Sequence, residues 1–189
     1  HGRMGGNRTI WERNVQQSKP TIVLEVGGIR RGSTWKVGIN GINRDAVFGN
    51  AGNDSRRSDL LGLRLKPWRT KGKHILICGQ HDKSLQWQGM PNMSQWVMET
   101  TENIQKSQDR PIIFRPHPRC TLPRIEHEFK NVKRKEPRHI HVTYDDFDMQ
   151  FDNVWATVSH SSNPGCHSII QGVPSFVSPS SLAYDVAND

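Results

Sequence analysis

Short apolar runs closed by glycine or proline recur along most of the chain, and their spacing predicts the elements. Thr21-Ile-Val-Leu-Glu-Val26 is a β-branched run ended by Gly27-Gly28, which predicts a strand. Two further β-prone pieces, Thr34 to Ile39 and Ala46 to Phe48, flank the turn signal Asn40-Gly41. Before them, His1 to Ser18 is basic and glycine-rich, with Trp11 as its large anchor, and predicts a partly ordered arm. Asn50 to Asp59 is small, polar and charged, the composition of a mobile surface loop. Leu60 to Trp68, with leucines at 61, 63 and 65, suits a strand or a docked connector.

From Lys73 the alternation becomes regular. His74 to Cys78, Pro111 to Arg115, His139 to Val142, Val154 to Val158 and Pro174 to Val177 read as short buried strands. Between them, Met93 to Ser107 carries Met93, Trp96, Val97, Thr100 and Ile104 at helical spacing behind Asn92, a good N-cap. Pro123 to Lys130, Asp145 to Asp152 (with an acidic first turn) and Gly165 to Gln171 complete the expected helices. Strands alternating with helices across short junctions predict an α/β fold with a Rossmann-like parallel sheet over 73–189. Residues 1–72 form an incomplete β-rich segment, expected to be the tail of an acceptor-side α/β domain with its linker.

Composition adjusts this picture little. The 189 residues are 33% hydrophobic, and no apolar run is long enough to span a membrane. Cys78, Cys120 and Cys166 are odd in number and lack paired spacing, which suits reduced thiols in a cytoplasm better than a disulfide framework or a thiolate metal site. Net charge is +8, from 26 basic and 18 acidic residues, a surplus that attracts polyanions.

Candidate chemistry lies where strands end. Arg115-Pro-His-Pro-Arg119 leaves the carboxyl end of one strand, the side on which open α/β sheets bind ligands. Arg115 and Arg119 suit a phosphate, and His117 can donate to one of its oxygens. Ser161, Ser162 and Asn163, before Pro164-Gly165, offer hydroxyls and backbone N–H groups at a helix start. Gly79-Gln80 closes another strand, with Asp82 a candidate general base. His139-x-His141 shares a strand face but has no third ligand at a familiar spacing, so no metal is expected. The basic run Lys130 to Arg138 can meet a phosphate backbone.

In order, these motifs resemble the GT-B glycosyltransferases, particularly the capsule-type group that includes Kdo and sialic acid transferases, and more loosely phage-encoded glycosyltransferase-like proteins. His117-Pro118 and Ser161-Ser162 look like that family's histidine–proline and serine-pair motifs, and Gly79-Gln80 with Asp82 and Ser84 like its glycine–glutamine element. Gly172-Val-Pro174 is similar to its glycine–x–proline turn. The resemblance implies a donor domain that holds a UDP- or CMP-sugar. Its phosphates would meet Gly79, Gln80, Arg115, His117, Arg119, Ser161, Ser162, Asn163 and Gly165. Asp82 and His117 would be catalytic, no separate cofactor would be needed, and the acceptor would be a saccharide or a modified DNA base. The competing expectation is a non-catalytic nucleic-acid-binding or virion-associated module on the same scaffold.

Overall fold

A computed structural model of the chain describes residues 5–47, 52, 54–140 and 147–188. The chain divides into two compact units, with the division after Arg64. Among the described residues no helix is long and apolar enough to cross a membrane.

The first unit opens with helix α1, Gly5–Gln16, where a partly ordered arm was expected. Strands β1 (Ile22–Val26) and β2 (Trp35–Ile39) pair antiparallel, and Val47 adds a bridge to Ile39. Asn40-Gly41 turns the chain after β2 toward the bridge at Val47, as its flanking pieces predict, with Asn40 at φ 64°. Its Oδ1 accepts from the Thr21 amide at 2.9 Å and its carbonyl from Trp11 Nε1 at 3.0 Å. Part of the expected surface loop is helix α2, Arg56–Leu60, while positions 50, 51 and 53 lie outside the described residues.

The second unit is α/β. Its strands are β3 (His74–Cys78), β4 (Ile112–Arg115), β5 (Val132–Arg134), β8 (Val154–Ser159) and β9 (Ser175–Val177). The strands between, β6 (Arg138–His139) and β7 (Phe147–Asp148), form a small antiparallel pair of their own. The five larger strands make one parallel sheet in the order β5-β4-β3-β8-β9, a Rossmann-like arrangement. Helix α3, Met93–Ser107, follows β3, and α4, Asn163–Ile170, follows β8.

Both faces of a parallel sheet must be covered, and the strand alternation divides the work. Ile75, Ile77, Ile112 and Phe114 face α3, packing on Met93, Val97 and Trp87. Thr101, not Thr100, completes the buried stripe of α3, and Asn92 caps the helix by accepting from the Gln95 amide at 2.9 Å. Leu76 and Cys78 face the other way, against Phe151, Val154 and Val173. Thr157 is in register with Leu76, so it shares that second face. Its Oγ1 donates to Ser168 Oγ at 2.9 Å or Ser175 Oγ at 3.0 Å, which seats α4 there. The two helices therefore flank opposite sides of the sheet.

Further expectations differ from what is found: the described part of the strand expected over His139 to Val142 is exposed and lies outside the parallel sheet, whose edge is β5 instead. A helix over Asp145 to Asp152 is not formed in its described part. Phe147 and Asp148 pair instead with His139 and Arg138, and Arg138 forms an ion pair with Asp148. Leu65 to Gly72, expected with the first segment, runs with the second unit. The Lys66 amide donates to Ile170 O at 3.1 Å, and Arg69 Nη1 donates to Phe151 O at 2.6 Å and Val154 O at 2.9 Å.

Candidate functional site

The chain leaves β3 for β4 on one side and reaches β9 from β8 on the other, so the strand order reverses between β3 and β8. Open α/β sheets bind ligands in the crevice at the carboxyl ends of such a pair. Here that crevice is walled by the loop after β3, residues 79–91, and the loop after β8, residues 160–162.

These loops are tied at two points. Gln80, 6% exposed, accepts on Oε1 from the Ser161 amide at 3.1 Å and the Ser161 hydroxyl at 3.0 Å. His160 Nε2 lies 3.0 Å from Gln86 O and 3.0 Å from Ser180 Oγ. A carbonyl only accepts, so Nε2 carries the proton and Ser180 Oγ accepts as well. The Trp87 ring stands edge-on to His160, with centroids 5.0 Å apart, and its Nε1 donates to Pro91 O at 2.8 Å. Gln80 is thus a positioning residue that fixes the loops to each other.

Ser162 is the N-cap of α4, yet its hydroxyl makes no capping bond; that oxygen and the Ser159 hydroxyl are buried without a hydrogen-bond partner among the described residues. Unpaired buried polar atoms are costly and uncommon, and a site for a polar ligand is one reason for them. The backbone contributes less than the sequence implies. Pro164 has no N–H, and the Gly165 amide donates to Ser162 O at 3.1 Å. Gly165 is buried: a Cβ there would lie 3.0 Å from both Ser159 Oγ and Val177 Cγ1. Its role is close approach of helix to sheet. Asn163 opens the helix, partly exposed.

The loop after β4 meets the loop after β3. The Gly79 amide donates to Arg115 O at 2.8 Å, and the rings of His81 and His117 pack edge to face, 5.2 Å between centroids. Each imidazole is set by the same local bond: the Lys83 amide donates to His81 Nδ1, and the Arg119 amide to His117 Nδ1, both at 3.1 Å. In the neutral His117 ring this leaves the proton on Nε2, whereas His81 Nδ1 also faces a carboxylate, which only accepts. Asp82 is exposed, with its Oδ1 3.2 Å from His81 Nδ1, and Arg119 is exposed at the rim.

Arg115 departs from expectation. It is 5% exposed, and its guanidinium donates to Met149 O and, at 3.4 Å, to Cys78 Sγ. It ends β4 in register with Cys78, so alternation turns its side chain under the sheet and away from solvent. Two residues of the basic run are committed in the same way. Arg134 Nε donates to Glu126 Oε2 at 3.1 Å, with Nη1 and Nη2 on the carbonyls of Leu122 and Pro123, and Arg138 holds Asp148. Lys130, Lys133 and Lys135 remain exposed. His139 lies against Phe147, while His141 lies outside the described residues.

Sequence reasoning weighed His160 only among the histidines considered for a metal, and did not single out Gln86 or Ser180. The available signal was the tryptophan at 87 in a polar loop, which needs a partner to be buried there.

Burial pushes the His160 imidazole below its usual range, opposed by its bond to Gln86 O. The unfolded chain then takes up the proton first, so stability is full above about pH 6.5 and declines below it. His74, lowered by burial and by Lys135, acts in the same sense. Denaturant midpoints from about pH 8 to 5 are expected to fall, and His160→Gln to flatten the slope without abolishing it.

The chain matches no protein-family model and no curated protein sequence.

Proposed function

We propose that the second unit binds a nucleotide-sugar donor at the β3/β8 crevice and serves as the donor half of a GT-B-type glycosyltransferase. One observation carries this reading. The strand order reverses where the buried Ser162 hydroxyl has no protein partner among the described residues, beside a loop pair locked by Gln80. Ser162 and the Nε2 side of His117 would donate to the donor's phosphate oxygens, with Arg119 at the rim neutralising the leaving group. Arg115 is removed from the set that touches ligand. Asp82 would accept the proton of the acceptor hydroxyl as that oxygen bonds to the anomeric carbon and the nucleotide departs with its phosphate oxygen. The acceptor is a saccharide or a modified DNA base. Such donors belong to the cytoplasm, a compartment that suits three unpaired cysteines.

The test is calorimetric titration with UDP- and CMP-sugars. One donor class is expected to bind, with Ser162→Ala and His117→Ala each weakening it about tenfold, the size of a charge-assisted hydrogen bond. Binding indifferent to both changes would remove the assignment.

A further inference from the structure

The antiparallel pair β1–β2 carries its apolar side chains on the wrong face for a core. The register sets Ile22 opposite Ile39 and Leu24 opposite Val37, and Trp35 follows on the same side. Val47, bridged to Ile39, extends the row. All are exposed: Ile22 70%, Leu24 57%, Trp35 62%, Val37 50%, Ile39 42% and Val47 61%. The opposite face is polar and covered. There Lys36 Nζ lies 2.5 Å from Glu25 Oε2 and 3.1 Å from Asn43 Oδ1. Gly38 is buried so closely that a Cβ would fall 2.6 Å from Gly41 O. The polar side thus packs inward on residues 40–47, and among the described residues nothing covers the apolar side.

We propose that this face is the contact between two copies of the chain, joined about a twofold axis into a four-stranded sandwich. The row holds no charged side chain, so it has nothing with which to select an ionic partner, and a twofold contact would set the same uncharged patch of each copy against the other with no like charges opposed. Two such sheets pack face to face with strands nearly aligned, about 10 Å apart. The six residues expose roughly 700 Å² per copy, so burying both rows completely would remove at most roughly 1,400 Å², within the range of a standard stable interface. A two-stranded ribbon is marginal alone, and a second sheet supplies the missing layer. Trp35, the largest of the six, is the expected anchor.

Charge supplies a discriminating signature. Each copy carries +8, so the copies repel, and added salt would tighten the pair by screening. An acidic protein or nucleic acid held by the same unit would be released by salt. Sedimentation equilibrium on the whole chain tests this. Twice the chain mass is expected at about 100 µM, with the dissociation constant falling as salt rises from about 0.05 to 0.5 M. Leu24→Glu and Val37→Glu, at positions half exposed in the single chain, are expected to raise that constant at least about tenfold with unchanged circular dichroism. A wild type at single-chain mass throughout the salt series overturns the proposal, with no variant needed. So does a dimer that either glutamate leaves intact, or one that salt dissociates.

Discussion

Replacing Phe114 by alanine is expected to cost the parallel-sheet unit about 4 kcal/mol, enough to unfold a domain of ordinary stability at moderate urea. The ring is wholly buried in β4, in a cluster with Ile77, Met93 and Val97, and the Arg134 guanidinium lies 5.5 Å from its centroid. Neighbours fixed by a five-stranded sheet cannot collapse into the space, so a cavity term adds to lost burial. The same ring supports the site: its Cε2 would stand 3.3 Å from a Cβ at Gly79. A version that still folds should bind its ligand less well. Phe176→Ala, at 37% exposure on β9, is the control and should cost well under half as much. Equal midpoint shifts for the two would contradict the description of the core.

Gly172→Ala is expected to be nearly as severe, at about 3 kcal/mol or more. Gly172 has φ of 69°, a conformation that costs an alanine about 1–2 kcal/mol. A Cβ would also fall 2.1 Å from Pro67 O and 2.9 Å from Lys66 O, both backbone atoms. The carbonyl at 172 accepts from the Arg69 amide at 2.6 Å, so the strap 66–69 cannot retreat without losing that bond. Gly89→Ala separates the two contributions. Gly89 has φ of 76° with open space around it, so only the conformational part should appear in its urea midpoint.

Much of the second unit was legible because its signals are local. Asn92 and the Met93–Ser107 periodicity specify a helix without help from the rest of the chain, and β3, β4, β8 and β9 are apolar runs with clear stops. The errors came where tertiary pairing overrides local preference. The acidic residues near 145–152 suit a helix start, yet Phe147 and Asp148 find partners in His139 and Arg138, which no spacing rule reveals. Arg115 was misread by residue type. Continuing the alternation from Phe114 by one position would have sent its side chain to the Cys78 side, where Met149 O and the sulfur take up its donors. The ties between loops, Gln80 to Ser161 and His160 to Gln86, join residues far apart in sequence and needed coordinates.

The amide of Gln80 holds two turns that lie 81 positions apart in the chain. Closing so long a loop is slow and entropically unfavourable, but it is completed when the sheet forms. Whatever enters the crevice thereafter meets walls already in place. Capture should then follow second-order kinetics with a single phase, its rate set by encounter rather than by rearrangement of the protein.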